Sequence, residues 1–265
     1  MSSTKNTFSA TRLLGIACVL WFAATGCATS ATPPVQEHRL RQAKSHFDIG
    51  LDHMNNARFA VALRELRVAE NFDPKNPKIQ VALAEAYMHK GKDEEAETHL
   101  RRALEVHSEF HDARLSLAAL YLLTGNWQEA AKHSRILIDD PTFPGVWRAF
   151  TNLAVAQLAQ NQLVEARKNL DLAIEFNPTY WPALLTRGIL ANEEGRQRDA
   201  ISFLGLMLQQ NSIPSARAEA NYYLAEAHVS LGNREEAISH LKTAVAQTPD
   251  GQWGKKSEEY LKVLR

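Results

Sequence analysis

Small and apolar residues recur along the chain at helical spacing, with a period of about 34 residues. One set of alanines is separated by 34, 34, 36, 34 and 37 residues: Ala62, Ala96, Ala130, Ala166, Ala200 and Ala237. A second set of small residues stands twelve positions before each of them: Gly50, Ala84, Ala118, Ala154, Gly188 and Ala225. Because small side chains let two helices approach closely, this pattern predicts stacked helix–turn–helix repeats.

Glycine and proline mark the turns and the boundaries of these units. Four glycines are predicted to lie between the two helices of a unit, where the absence of a Cβ is useful: Gly91, Gly125, Gly195 and Gly232. Asn-Pro and Asp-Pro steps break the chain between units. The predicted repeats are 43–76, 77–110, 111–144, 147–180, 181–214 and 218–251. A capping helix is predicted over 252–265, because that stretch has a polar and an apolar side.

The frame resembles the tetratricopeptide repeat, which has a small residue at position 8, Ala at 20, a large apolar residue at 24 and Pro at 32. Repeat four matches it with Ala154, Ala166, Leu170 and Pro178. The resemblance implies an all-α, right-handed α-solenoid of six repeats with a C-terminal capping helix. It also implies that the protein binds other proteins rather than transforming a substrate.

The N-terminus has the pattern of an export signal. Lys5 and Arg12 precede an apolar run over 13–24 that is too short to span a bilayer. The sequence Ala-Thr-Gly-Cys that ends at Cys27 resembles the lipobox of bacterial lipoproteins, whose cysteine carries acyl chains. We interpret 1–26 as a lipoprotein signal peptide, Cys27 as the lipidation site and 27–42 as a lipidated, flexible tether; simple cleavage of the signal is the alternative. By analogy with lipoprotein sorting, Ala28 predicts a periplasm-facing anchor in the outer membrane of a Gram-negative bacterium.

Composition and motifs argue against several classes of function. The 30 basic and 30 acidic residues leave no excess positive charge for nucleic acid. Both cysteines, Cys18 and Cys27, precede the repeats, so the repeats have no disulfide or Cys-based metal site. His107 and His111 have metal-ligand spacing only on one continuous helix, and the repeat frame places a break between them. No catalytic triad order, phosphate loop or HExxH motif occurs, so we expect no enzymatic activity, no cofactor and no metal.

A partner-binding groove is predicted on the concave face, which the first helices line in this repeat class. Reading the inward positions of successive repeats gives an apolar stripe that favours an amphipathic or apolar segment of a partner protein. Its residues are Phe47, Leu51, Val81, Met88, Leu115, Leu122, Val155, Leu158, Leu185 and Ile189. The alternative is that some of them pack only against neighbouring helices. Glu85 interrupts the stripe, and Tyr222 and Glu226 change its character in repeat six.

A lipidated signal followed by six repeats resembles the pilotin lipoproteins of type IV pili, the PilF/PilW/Tgl group. The irregular segment 140–144 and the following Phe-Thr-Asn-Leu over 150–153 look like that family's Tyr-Pro…Phe-x-Asn-Leu-Gly, with Ala154 in place of glycine. The resemblance implies a secretin subunit as partner and a role in localising and assembling the secretin. Two alternatives are a lipoprotein that scaffolds peptidoglycan enzymes and a holding factor for outer-membrane proteins.

Overall fold

The structure, a computed structural model, describes residues 34–264, which form thirteen α-helices in sequential pairs. The predicted all-α repeat array is therefore confirmed. The predicted signal peptide, Cys27 and residues 27–33 of the tether lie outside the described residues. The helices are α1 (Pro34–Asn55), α2 (Phe59–Phe72), α3 (Pro77–His89), α4 (Asp93–Val106), α5 (His111–Leu123), α6 (Trp127–Ile138), α7 (Val146–Ala159), α8 (Leu163–Phe176), α9 (Trp181–Glu193), α10 (Gln197–Gln210), α11 (Pro214–Ser230), α12 (Arg234–Gln247) and α13 (Gln252–Leu264).

The turn inside each helix pair contains one residue in the left-handed region. The four predicted glycines take this conformation, with φ between 66° and 79°, so their assignment to the turns is confirmed. In repeats one and four the same place is held by Ala57 (φ 54°) and Asn161 (φ 59°). Asparagine tolerates this region better than alanine does. Backbone strain is therefore greater at Ala57, in the turn of repeat one, than at Asn161 in the turn of repeat four.

In five of the six repeats the two helices of a pair meet through a small residue on the first helix and a buried leucine on the second, and repeat three has Ser134 in place of the leucine. In repeat five, a Cβ added to Gly188 would lie 2.6 Å from Leu204 Cγ, and in repeat one a Cβ on Gly50 would lie 2.7 Å from Leu66 Cγ. Both leucines are fully buried. The glycines are therefore required by the close approach of the helices rather than by backbone flexibility.

The first helices of the pairs line the inner face of the array. Each odd-numbered helix contacts the next odd-numbered helix, whereas between 34 and 264 no even-numbered helix contacts another. Helix α13 begins 34 residues after Ala218, which opens repeat six, and it packs on both α11 and α12. It occupies the place of a first helix in a seventh unit that has no second helix. Leu261 covers Ala225 and Leu241 of repeat six, as a cap would.

Helix α1 is longer than the repeat frame predicts. It begins at Pro34, so the prediction of a flexible tether over 27–42 is wrong for 34–42. Proline is well suited to the first turn of a helix, and the residues after it are good helix formers. Glu37 and Arg41 form an i,i+4 ion pair of 2.6 Å that supports this exposed extension.

Alanine substitution at two helical glycines should have opposite effects on stability. Gly188→Ala should lower the free energy of unfolding by on the order of 1 kcal/mol, because overpacking costs about 1–3 kcal/mol and exceeds the gain in helix propensity. Gly205, in α10, is the matched control: nothing lies within 4 Å of an added Cβ there. Gly205→Ala should raise stability by about 0.5–1 kcal/mol. Urea unfolding followed by circular dichroism measures both, and a stabilised Gly188→Ala variant would contradict the close-approach argument.

Candidate protein-binding groove

The N-terminal half of the inner face contains a cavity of about 400 Å³ between α1, α3, α5 and α7. Four of the predicted groove residues line it: Phe47, Leu51, Val81 and Leu115. Phe47 and Leu51 are half-buried, while Val81 and Leu115 are buried at its base. We call this cavity and its lining residues the N-terminal groove. It presents an apolar floor of the kind that holds the apolar side of a partner helix or strand.

Charged side chains stand around this apolar floor. Lys78, Asp112 and Arg148 occupy position 2 of repeats two, three and four, and each lines the N-terminal groove together with Glu85. Arg148 also lines two adjoining cavities of about 620 and 270 Å³, so it stands where the three meet. Arg148 is not among the apolar inward residues predicted from the sequence. Reading position 2 of every repeat in the same way would have found it.

The Glu85 side chain is exposed to solvent, although it lies among the side chains that line the N-terminal groove. Burial raises the pKa of the Glu85 carboxyl, the Asp112 charge raises it further, and His89 and Arg148 lower it in part. The groove thus combines an apolar floor with acidic and basic groups of balanced charge. Such a surface selects an amphipathic segment rather than a purely apolar one.

The remaining predicted groove residues are distributed between cavity walls and the core. Met88 lines the 270 Å³ cavity beside Leu115, and Val155 is half-buried on α7. Leu122 and Leu158 are half-buried and pack against the cores of their own regions. Leu185 and Ile189 belong to the core around Leu204. The structure therefore gathers Phe47, Leu51, Val81 and Leu115 at one cavity, and it places most of the other predicted residues in helix packing.

The irregular junction between repeats three and four forms one wall of the 620 Å³ cavity. Phe143 is buried against Leu115 and Leu137, and Pro144 and Gly145 line the cavity. Asp140 anchors the junction: its Oδ1 accepts hydrogen bonds from the Thr142 amide and hydroxyl at 2.8 and 2.7 Å. Its Oδ2 lies 2.7 Å from His111 Nε2. Together these hydrogen bonds lower the pKa of Asp140 to about 2, and the largest contribution comes from the Thr142 hydroxyl, followed by His111.

Several histidines pair across the two helices of one repeat, at positions 4 and 23. His46 Nδ1 lies 2.9 Å from Glu65 Oε2 in repeat one, and His99 Nδ1 lies 2.7 Å from Gln80 Oε1 in repeat two. Repeat six has the same pair, with His240 Nδ1 2.8 Å from Asn221 Oδ1. These histidines are interhelical polar contacts. The period of small residues does not predict this pairing, and comparing positions 4 and 23 of every repeat would have found it.

His133 holds position 23 in repeat three and is 9% exposed. Its ring lies 5.7 Å from the ring of Tyr121. Burial first, and then the nearby charge of Arg114, lower the pKa of His133 to about 4, although Glu129 opposes the shift. The imidazole is therefore neutral in the folded protein at neutral pH.

His107 and His111 lie on opposite sides of a helix boundary, as the repeat frame predicts, because α4 ends at Val106 and α5 begins at His111. Within 34–264, no three His, Cys, Asp or Glu side chains are arranged to hold a metal ion. Over the same residues, the helices are too short or too polar for one to cross a bilayer.

Models of the tetratricopeptide repeat match residues 54–107, 94–142, 147–167 and 191–256, which together make up more than half of the chain. No curated protein sequence matches this chain. The array is also similar to solved structures at low sequence identity, and that likeness concerns the fold.

Three solved structures illustrate the likeness. Pseudomonas aeruginosa PilF superposes with a TM-score of 0.70 at 17% identity, over 84% of this chain and 99% of PilF. PilW, described as a widely conserved type IV pilus biogenesis factor, gives 0.70 at 18% identity, over 81% of this chain and 97% of PilW. The Cut9–Hcn1 hetero-tetramer of APC/C gives 0.72 at 15% identity, over 85% of this chain but only 44% of the matched chain.

Replacing His133 should flatten the pH dependence of stability. The unfolded chain binds a proton at His133 near pH 6.5, whereas the folded chain binds it near pH 4. The free energy of unfolding should therefore be level above pH 6.5 and fall between pH 6.5 and 4, by at most about 1.4 kcal/mol per pH unit for this one group. His133→Gln should reduce that slope in urea unfolding, and the exposed His107→Gln should leave it unchanged. Identical slopes for His133→Gln and the parent protein would contradict the assignment.

Proposed function

The chain belongs to the tetratricopeptide repeat family and is a protein-interaction scaffold, and on that premise we propose that it is a pilotin lipoprotein of type IV pilus biogenesis. In this role it binds secretin subunits and helps them localise and assemble in the outer membrane. Acyl chains on Cys27 hold it there, with the repeats in the periplasm. It acts without enzymatic turnover, as scaffolds of this family typically do.

The observation that carries the proposal is the extent of the likeness to PilF and PilW. The alignment covers 99% and 97% of those chains at a TM-score of 0.70, so nearly the whole of each superposes on this array. The comparably high TM-score of the Cut9 complex covers only 44% of the matched chain, so the repeat fold by itself does not distinguish a pilus role. The lipobox-like sequence that ends at Cys27 adds independent support.

In the proposed mechanism the N-terminal groove takes the apolar side of an amphipathic secretin segment. Phe47 and Leu51 contact its apolar side chains, and Glu85 and Arg148 fix its register through charged hydrogen bonds. The lipid anchor confines the scaffold and its bound subunit to the membrane surface. Confinement raises the effective concentration of subunits and thereby favours ring assembly without any chemical step.

Charge reversal in the N-terminal groove should abolish partner binding while the fold is kept. The double variant Glu85→Lys/Arg148→Glu changes two exposed side chains and leaves the net charge unchanged. The matched control is Lys168→Glu/Glu175→Lys, which reverses two exposed charges on α8, a second helix of a pair. Crosslinking pulldown from cells should recover secretin with the control and about tenfold less with the groove variant. Equal recovery, with circular dichroism spectra also equal, would contradict binding at this groove.

Removal of the lipid anchor should disturb secretin assembly in cells. A Cys27→Ala strain should accumulate secretin monomers and lose surface pili, because the scaffold is no longer held at the outer membrane. Heat-stable secretin multimers, followed on immunoblots, measure the effect. Normal multimers in a strain with the whole gene deleted would overturn the pilotin proposal.

Two other outcomes would favour the alternative functions. Recovery of peptidoglycan enzymes in the pulldown would favour a cell-wall scaffold, and broad suppression of client aggregation would favour a holding factor.

A further inference from the structure

The inner face changes its chemistry at the C-terminal end of the array, far from the N-terminal groove. Four aromatic rings from α11 and α13 form one contiguous cluster there. The ring centroid of Trp253 lies 5.2 Å from that of Tyr222 and 5.3 Å from that of Tyr223. The Tyr222 and Tyr260 centroids are 6.0 Å apart. All four side chains are half-buried, so part of the ring surface remains open to solvent.

Three carboxylates lie on the helices that carry or adjoin these rings. Glu193 comes from α9, and Glu219 and Glu226 come from α11. Glu219 stands four residues before Tyr223 and Glu226 three residues after it, so the three side chains share one face of α11. Asn192 Nδ2 donates a 2.8 Å hydrogen bond to the Tyr223 carbonyl oxygen, which brings the end of α9, and with it Glu193, beside this face. Burial first, and then the charges of the three carboxylates, raise the pKa of Tyr223 to about 12. We call the four rings and three carboxylates the aromatic–acidic surface.

The negative charge of this surface is only partly balanced. Burial raises the pKa of both Glu219 and Glu226, and the cation that opposes this shift at each of them is Lys256 of α13. The two carboxylates of α11 are thus opposed by one ammonium group. A second cation brought by a partner would meet an excess of negative charge on a half-buried surface.

The rings themselves already hold a cation. Lys256 Nζ lies 4.3 Å from the centroid of the Trp253 ring, within the range of a cation–π interaction. This contact is independent of the carboxylates. Lys256 stands three residues after Trp253 on α13, so the contact is made within the helix, and it shows that the Trp253 ring face can hold a positive charge.

We propose that the aromatic–acidic surface is a binding site for an arginine side chain carried by a peptide segment of a partner protein. A guanidinium group is planar and stacks on aromatic rings, while its five N–H groups donate to carboxylates on both sides. An arginine therefore matches the rings and the unbalanced charge at once. The site is separate from the N-terminal groove, and it does not depend on the pilus role, since it requires only that a partner segment run along the inner face.

Titration with two matched peptides tests the site. The probe is an acetylated and amidated octapeptide of alternating leucine and arginine, and its control has citrulline, the uncharged isostere, in place of arginine. Isothermal titration calorimetry with the full-length chain in detergent measures binding. The arginine peptide should bind about tenfold more tightly than the citrulline peptide, because charge-assisted hydrogen bonds are lost in the latter. Equal binding of the two peptides, or no binding of either at millimolar concentration, would overturn the proposal.

Variants of the full-length chain separate a specific site from general attraction. Glu219→Gln/Glu226→Gln should weaken arginine-peptide binding about tenfold. Glu258→Gln/Glu259→Gln removes the same charge from exposed positions of α13 and should leave binding unchanged, with thermal unfolding as the check on folding. Lys256→Gln removes the resident cation and should tighten binding, measured by isothermal titration calorimetry. Weaker binding to Lys256→Gln, or equal losses in the two double variants, would overturn the proposal.

Discussion

The contact between a small residue of the first helix and a buried leucine of the second helix, present in five of the six repeats, sets the geometry of the array. With glycine or alanine at position 8, the leucine at position 24 packs against the helix backbone itself, as Gly188 and Leu204 illustrate. Repetition of this contact fixes the distance between paired helices in successive units. The inner face then follows, because the first helices are brought into contact with one another and the second helices are held apart. No disulfide takes part, since both cysteines precede the repeats.

The inner face has two regions with different side chains, because packing between the paired helices does not fix which residues occupy the inward positions. Position 2 holds Lys78, Asp112 and Arg148 in repeats two to four, and it holds Glu219 in repeat six. Apolar side chains floor the N-terminal groove, while aromatic rings cover the C-terminal end. A segment that runs along the face would meet an apolar, charge-balanced region first and an acidic, aromatic region last. Such a gradient gives a bound segment a preferred direction as well as a register.

Polar contacts between the paired helices add a second layer to the hydrophobic contact. The pair at positions 4 and 23 recurs as His46–Glu65, Gln80–His99 and Asn221–His240. Buried polar groups are costly unless they are hydrogen-bonded, so each pair favours one register of the two helices over its alternatives. Burial keeps His99 and His240 neutral more readily than in water, because it lowers the pKa of each ring.

The sequence by itself determined the periodic part of this protein. The spacing of Ala62, Ala96 and their equivalents predicts the helix pairs, and Gly91 and its equivalents predict the turns, because both depend on local sterics that repeat with the chain. Only the tertiary structure decided which inward side chains share a cavity. Leu115 and Leu185 occupy equivalent positions in repeats three and five. Leu115 forms part of the base of the N-terminal groove, whereas Leu185 is packed in the core around Leu204. The irregular junction at Asp140 and the helical extension before Ala43 also break the period. Packing between units, rather than pattern within them, therefore decides where a partner can bind.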